Sequence, residues 1–365
     1  MTNTTTTLST TATAISMAGM RHLLQERRDW APTVESAEIL LAMAQVGLGA
    51  HLIAHSGVER FAAAQRLDGE SRGSWGGDFD ATAHGLMLAA AYPGLIDADR
   101  ARLGAEFLLQ TFGDTSLGWS WSDEIPKTLL ALRALLAVRH PRVGEVARLA
   151  MPWLLNYAHD LVLVNERYTA EFLAVHREVS EMIGIDGIPE RVREEVPEMQ
   201  VALLRSCHEQ LGASGKLWNN DPRANGIALE MVATSLAAED PTMLKNVLTW
   251  FAGRQRPDGS FGTPLETARV VQGLAQFAYS LARARGLDHD AARASVRSAH
   301  QVLSEAIPMA VLWRSLRWVH DEARQARILI VPDRAWRWLV GTVSFIVIAL
   351  LSNWLPSLVE TWWRR

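Results

Sequence analysis

The sequence predicts an all-α protein in which about six helical hairpins curve into a closed barrel. One pattern recurs along the 365-residue chain: a glutamine, a glycine-rich turn, an aromatic residue and then the start of an apolar run. Apolar residues follow helical spacing on both sides of each turn, and no useful length of chain alternates as a strand would. A helix–turn–helix unit that recurs about six times gives twelve main helices.

Four copies of the pattern are clear, and two more follow from spacing. The clear copies are anchored by Gln65, Gln110, Gln210 and Gln255. Two of the gaps between these glutamines are 45 residues and the middle gap is 100 residues, which predicts a decayed copy at Asn156. A last weak copy is predicted at Gln301, 46 residues after Gln255. In each unit we expect the first helix to face outward and the second to face inward.

Three segments follow from composition. Residues 2–14 are mostly Thr, Ser and Ala and cannot bury much surface, so a disordered tail is predicted for residues 1–30. The hairpins occupy residues 31–325, and residues 326–365 form a C-terminal membrane anchor. The stretch GIDGIPERVREEVPEM, between the copies at Asn156 and Gln210, predicts a loop or a short extra helix.

Bulk composition excludes several classes of protein. The formal charge is −4 and no basic stripe occurs, which argues against a nucleic-acid partner. A single cysteine, Cys207, cannot form an internal disulfide and fits a reducing compartment. The N-terminus lacks the cationic and apolar pattern of a signal peptide.

The stretch WFAGRQRPDGSFG resembles the QW repeat of squalene–hopene cyclases and other terpene cyclases. The matching positions are Trp250, Phe251, Gln255, Gly259 and Phe261. The resemblance covers roughly residues 35–325 and implies an α/α toroid, a fold that prenyltransferase β-subunits and thioester-containing complement domains share. No GCGEQ-like stretch exists, and Cys207 lies on an expected outer helix, so neither a thioester nor a zinc site is expected. The fold alone does not select an activity.

The stretch DFDATA at residues 78–83 resembles the Asp-x-Asp-Asp-Thr-Ala motif of class II terpene cyclases. The resemblance implies that Asp80 is the catalytic acid, which protonates an alkene or epoxide, and that Asp78 assists it. Ala81 stands where the family has its last Asp. Neighbouring carboxylates disfavour double ionisation, so one of them can keep its proton. The alternative is that these acids only cap the helix that follows.

Five aromatic residues at hairpin turns are expected at the same end of the barrel, where they could bind substrate. They are Trp75, Trp119, Trp121, Trp218 and Phe261. Aromatic faces stabilise a carbocation through cation–π contacts, although packing within the repeats is the alternative. An isoprenoid or other apolar ligand is expected, enclosed by one toroid or by a homodimer. No cofactor or metal is implied, except Mg²⁺ if the substrate is a diphosphate, and His84 is interpreted as a structural histidine.

Residues 338–359 are a run of 22 residues without charge. As a helix the run would reach about 33 Å, close to the thickness of the bilayer core. Tryptophans lie near both ends and arginines lie outside them, as in a transmembrane or membrane-interfacial helix. More arginines precede the run than follow it, which predicts a membrane protein with its toroid on the cytoplasmic side.

Two functions remain open on the sequence alone. The first is a membrane-attached terpene cyclase-like enzyme that cyclises an isoprenoid by protonation at Asp80. The second is a non-catalytic toroid, a ligand- or protein-binding or sensing module tethered to membrane lipid by its tail.

Overall fold

The computed structural model describes residues 2–25, 30–115, 118–161, 166–214, 221–236 and 241–305. Within these ranges the chain is mostly helical, which confirms the predicted all-α class. The helices are α1 (Thr2–Gln25), α2 (Val34–Gln45), α3 (Leu52–Ala63), α4 (Phe79–Ala91), α5 (Ala98–Gln110), α6 (Ile125–Ala137), α7 (Val143–Leu161), α8 (Glu166–Ile183), α9 (Glu190–Ser214), α10 (Pro222–Leu236), α11 (Pro241–Arg254), α12 (Pro264–Ala284) and α13 (His289–Glu305). One small hairpin, β1 (Phe112–Thr115) paired with β2 (Gly118–Trp121), lies between α5 and α6.

The even-numbered helices form a closed cycle of contacts. Each of α2, α4, α6, α8 and α10 contacts the next one in the series, and α12 contacts α2 again. The helices α3, α5 and α7 each pack against the two even-numbered helices that flank them in the chain, while α9 contacts α8 and α11 contacts α10. The predicted alternation of two kinds of helix along the chain therefore agrees with the observed packing.

The predicted N-terminal tail is wrong over residues 2–25, because these residues form helix α1. This helix packs mainly against α12 and also contacts α11 and α13. Its apolar side chains Leu8, Ala12, Ile15, Met20 and Leu23 are buried. Threonine is a poor helix former, but tertiary packing of an apolar face outweighs local propensity.

Two of the anchoring glutamines show how α1 fits into the repeat. The Nε2 of Gln65 donates to the carbonyls of Gly73, in its own turn, and of Arg100, on α5, over 2.9 and 2.8 Å. The Nε2 of Gln255 donates to Gly259 and to Ile15, on α1, over 2.9 and 3.0 Å. The helix α1 thus has the same relation to the turn after α11 that α5 has to the turn after α3.

The glycines of these turns repeat the same relation. A Cβ added at Gly73 would lie 2.1 Å from the carbonyl oxygen of Leu103 on α5, and one at Gly259 would lie 2.3 Å from that of Ala18 on α1. Both glycines have positive φ, so they combine a left-handed turn with close backbone approach. The pair α1–α2 therefore closes the cycle, and Gln301 lies within helix α13.

Other expected copies fall inside helices. Asn156 lies within α7, where its Oδ1 accepts a hydrogen bond of 2.7 Å from Arg191, and Gln210 lies within α9. The stretch predicted as an insertion forms a short 3-10 turn, Ile185–Gly187, and then the first part of α9. The copies at Gln65 and Gln255 therefore lie at hairpin turns as predicted, whereas those at Asn156 and Gln210 do not.

No helix in the described ranges is both long enough and apolar enough to cross a bilayer. The expected anchor over residues 326–365 and the expected site residue Trp218 lie outside those ranges.

Candidate functional site

Helix α4 begins at a tight turn that is capped by Asp78. Gly76 and Gly77 precede it with φ of 66° and 78°, a conformation that favours glycine. The Oδ1 of Asp78 accepts a hydrogen bond of 2.7 Å from the backbone N–H of Ala81, three residues on. Asp78 is exposed and satisfies a free amide of the first turn, which is the expected geometry of an N-cap.

Asp80 lies in the first turn of α4 and is half-buried. Burial raises the pKa of its carboxyl most, and the charges of Asp78 and Glu124 raise it further. The charges of His84 and Lys127 lower this pKa by less, so the net shift is upward. Within the described residues the Asp80 carboxyl accepts no hydrogen bond. The direction of this shift is the one that a proton donor requires.

The turn geometry recurs, but the acid pair does not. The backbone N–H of Trp75 donates to the hydroxyl of Thr82 over 3.0 Å, and Trp121 donates likewise to Thr128 over 3.1 Å. Phe261 repeats the bond with Thr267 over 3.0 Å. An aromatic residue followed by a threonine in the next helix is therefore a structural feature of the repeat. An acid pair is not required for it.

His84 does not donate to the Asp80 carboxyl. Its Nδ1 lies 2.7 Å from the backbone carbonyl oxygen of Asp80, and its Nε2 lies 2.7 Å from Oε1 of Glu38 on α2. The imidazole is 2% exposed, so both ring nitrogens are used within the fold. This agrees with a structural role for His84.

Glu38 is fully buried and ionised. Burial alone raises the pKa of this carboxyl, but the Arg269 guanidinium and the hydrogen bonds from His84 and Gln272 outweigh burial and lower the pKa to about 2. Arg269 on α12 pairs with Glu38 Oε1, and Gln272 Nε2 donates to Oε2 over 2.7 Å and to the Glu38 carbonyl over 2.9 Å. One carboxylate thus ties α2 to α4 and to α12.

The charges continue across the interior of the cycle. Arg269 Nη1 lies 3.9 Å from Oε2 of Glu230 on α10, and Arg133 on α6 donates to Oε1 of the same carboxylate over 3.1 Å. Since α8 stands between α6 and α10 in the cycle, the Arg133–Glu230 pair joins two helices that are not adjacent in it. Burial lowers the pKa of Arg133, but Glu230, Glu178 and further acids raise it by more.

Helix α8 contributes the last acids of this network. Burial raises the pKa of Glu178, and the opposing charges of Arg133 and Arg177 do not fully offset that effect. Glu171, which is 8% exposed, also acts on Arg133. All six helices of the cycle therefore contribute to one ionic network, whose members are buried or half-buried. We define this network as His84, Glu38, Arg269, Glu230, Arg133, Glu171 and Glu178.

Three of the five expected substrate-binding aromatics are buried in helix packing. Trp75 and Trp121 have no accessible surface and Phe261 has 4%. Trp75 is wedged between Gly85 and Gly104, where an added Cβ would lie 2.7 and 2.6 Å from its ring. Surfaces this enclosed cannot contact a substrate, which corrects the expectation for these three residues.

The other two aromatics differ. Trp119 on β2 is 37% exposed and packs against Phe112, with ring centroids 5.4 Å apart. Trp218 lies outside the described residues.

Specific contacts hold the buried aromatics in place. The Trp121 indole N–H donates to the Leu108 carbonyl over 2.7 Å, which fixes this ring between β2 and α5. Phe261 meets Phe251 edge-on at 6.2 Å in the core beside α1.

No group of three or more metal-ligating side chains occurs within the ranges that the structure describes. Cys207 lies within α9. The expected requirement for Mg²⁺ with a diphosphate substrate remains a prediction.

The ionic network was not predicted, although the sequence carries a signal for it. Four of its members interrupt otherwise apolar helical runs: Glu38 in AEILLAMA, Arg133 in LLALRALLA, Glu230 in GIALEMVA and Arg269 in TARVVQGL. A charge in the middle of an apolar face is buried only when it is paired. Recognising these four as mutual partners requires knowing that their helices meet.

No protein-family model matches this chain, and no well-characterised protein matches it significantly. The resemblance to terpene cyclases depends on the repeat pattern and on the DFDATA stretch.

Proposed function

We propose that the described residues form an α/α toroid and that the protein is a binding module rather than a terpene cyclase. The closed cycle of α2, α4, α6, α8, α10 and α12 supports the fold. The paired roles of Gln65 and Gln255 support it independently, because each ties its own turn to a neighbouring helix.

The buried ionic network carries the functional part of the proposal. A cyclase of this kind folds a long apolar chain inside a dry cavity and stabilises a carbocation there. Here Arg133 on α6 pairs with Glu230 on α10, past the intervening α8, and Arg269 pairs with both Glu38 and Glu230. An apolar substrate in this place would have to break ion pairs that have already lost their water, which costs several kcal/mol.

The site itself supports the same proposal. Asp78 has the bonding of a helix cap, His84 is committed to Glu38, and Ala81 stands where the cyclase motif has a further Asp. The expected aromatic lining is largely enclosed in packing. A non-catalytic role is therefore compatible with the observed contacts as they stand, whereas catalysis would require some of these contacts to change.

We propose in addition that the tail tethers the toroid to the cytoplasmic side of a membrane. The uncharged run at residues 338–359 and its tryptophan and arginine flanks support this. Removal of residues 330–365 is expected to release the protein into the soluble fraction. Continued sedimentation with membranes would contradict the tether.

One observation favours the cyclase-like enzyme as a second candidate. Asp80 is half-buried beside a second acid, and its pKa is raised. In that case Asp80 would give its proton to one alkene carbon, and the π electrons would form the new C–H bond and leave a cation on the other carbon. A base would then have to remove a proton elsewhere to end the cyclisation.

Incubation of membranes that contain the full chain with C15 to C30 prenyl diphosphates and with squalene separates the two candidates. Gas chromatography with mass detection reads the products, and a squalene–hopene cyclase run in parallel controls for substrate delivery. We expect no cyclic product. A cyclic product that forms with the native chain and disappears with Asp80→Asn would overturn the binding proposal and establish the enzyme.

A further inference from the structure

A groove of about 1170 Å³ lies on the side of the molecule where the C-terminal ends of α4 and α6 meet α5. Its floor is apolar and includes Ala89, Ala90, Pro93, Ile96, Leu109 and Val138. Its rim carries Arg102, Glu106, Arg139, His140 and Arg142. Among the described residues, none of those expected to be catalytic or to bind substrate lines this groove, which is therefore distinct from the Asp80 site.

The rim has an excess of positive charge. Arg102 is paired with Glu106 over 2.6 Å, and Arg142 is paired with Glu145 over 3.2 Å. Arg139 is exposed, and its side chain forms no ion pair or hydrogen bond within the described residues. One guanidinium at the edge of an apolar groove is therefore available to an anion.

The backbone of Arg139 strengthens this observation. The N–H of Arg139 donates to Leu136 over 3.0 Å and that of His140 donates to Leu135 over 2.9 Å, which is the Schellman arrangement at the end of α6. Arg139 occupies the left-handed position of this motif, with φ of 50°. Such a conformation disfavours every residue with a Cβ, and an outlier of this kind points toward a function.

The end of α2 shows the residue that the same backbone ordinarily takes. There Gly47 has φ of 82° and donates to Ala44 over 3.1 Å, while Leu48 donates to Met43 over 2.8 Å. The two helix ends share one geometry, yet α6 keeps an arginine where α2 has a glycine. Folding alone would favour glycine at both positions.

His140 offers a second donor to the groove. Its Nδ1 accepts a hydrogen bond of 3.3 Å from the backbone N–H of Arg142. Burial, with help from the Arg142 charge, lowers the pKa of His140, so the ring is neutral at neutral pH and its proton is on Nε2. A neutral N–H and a free guanidinium thus share one rim.

We propose that this groove binds a single-chain anionic amphiphile of the fatty-acid type, with its alkyl chain on the apolar floor and its carboxylate at Arg139. The apolar floor favours an alkyl chain, and the unpaired guanidinium of Arg139 favours a negatively charged head group. The proposal names a ligand class for the binding role and therefore rests on the proposed function.

Calorimetric titration of the full chain with dodecanoate tests the proposal, in buffer free of alkyl detergents and below the micelle concentration. We expect saturable one-to-one binding with a dissociation constant on the order of 10 µM. Decanoate should bind roughly tenfold more weakly, because two methylene groups leave the floor. Dodecyltrimethylammonium, which has a similar chain and the opposite charge, should bind at least about tenfold more weakly than dodecanoate.

The decisive variant is Arg139→Gly, because it separates binding from folding. Glycine relieves the left-handed backbone, so the melting temperature should rise by a few degrees while dodecanoate binding falls at least about tenfold. Arg139→Lys should bind within about threefold of the native chain, since the charge remains. Arg72→Gln removes an exposed arginine elsewhere and should leave binding unchanged.

Three results would overturn the proposal: no saturable dodecanoate binding, equal binding of the cationic amphiphile, or unchanged binding by Arg139→Gly. The first result would leave a protein segment as the candidate occupant. Failure here is distinguishable from failure of the binding role as such, because only cyclic products in the isoprenoid assay count against that role.

Discussion

The Nε2 of His84 lies 2.7 Å from Oε1 of Glu38, and the two side chains are 3% and 0% exposed. The other nitrogen of His84 faces a backbone carbonyl, which can only accept a hydrogen bond. A buried contact between His84 and Glu38 therefore lies one helical turn from Asp80 and connects the acid-bearing turn to the ionic network.

Glu38→Gln should be strongly destabilising. The substitution keeps the shape of the side chain but removes the carboxylate that pairs with Arg269 and contacts His84, and breaking a buried pair costs about 3–5 kcal/mol. Urea denaturation followed by circular dichroism measures the loss. Glu145→Gln is the matched control, because Glu145 is 59% exposed in its pair with Arg142 and should change stability by less than about 1 kcal/mol. Similar losses in both variants would contradict a special role for the network.

The network also predicts a pH dependence. The pKa of Glu38 falls from an ordinary value of 4.5 to about 2 in the folded chain. A lowered carboxyl pKa stabilises the fold fully above the unfolded value, and that stability, about 3 kcal/mol, is lost as pH falls from about 4.5 to about 2. The stability gap between the native chain and Glu38→Gln should therefore be widest near pH 6 and narrow by pH 3. A gap that stays constant across this range would contradict the assignment.

The two acids of the DFD stretch should respond differently to substitution. Asp78→Ala removes a helix cap and should cost about 1 kcal/mol. Asp80→Asn should be neutral or slightly stabilising at pH 7, because a raised carboxyl pKa means that the folded state disfavours the ionised form. Thermal melts of the two variants at pH 7 measure this contrast. A large loss for Asp80→Asn would show that the carboxylate has an unrecognised partner.

The anchoring glutamines should fall into two groups. Gln65→Ala and Gln255→Ala each remove two hydrogen bonds to backbone carbonyls, one of them on a neighbouring helix, and should cost about 1–3 kcal/mol. Gln110→Ala is the control, because Gln110 ends α5 but is exposed and should change stability by less than about 0.5 kcal/mol. Equal losses of stability at all three positions would mean that these side-chain hydrogen bonds do not stabilise the turns.

The repeat was predictable from sequence because all of its parts lie close together in the chain. The glutamine, the glycine turn and the helical spacing of apolar residues lie within about 20 positions, and Gln65 and Gln255 make the bonds expected of that pattern. The hairpin of β1 and β2 was missed, since its strands are only four residues each. A strand this short offers too few alternations to identify.

The missed features all depend on contacts that are distant in sequence. Helix α1 looks too poor in apolar residues to fold, and only the surface of α12 makes its burial favourable. A weak signal was present after the end of α1. There Trp30 is followed by the helix-capping residue Thr33, just as an aromatic residue is followed by a capping residue at the other hairpin turns. The network likewise joins residues from α2 to α12, and no rule of spacing connects Glu38 to Arg269.

The position of α1 has a consequence for biosynthesis. This helix leaves the ribosome long before α11 and α12, against which it packs. At ordinary translation rates the apolar side of α1 waits roughly 10 to 50 seconds for these partners. During this interval the nascent chain exposes the apolar face of α1, because the helices that bury this face have not yet been made. Chaperones that shield such segments should therefore associate with the unfinished chain and leave when α12 emerges.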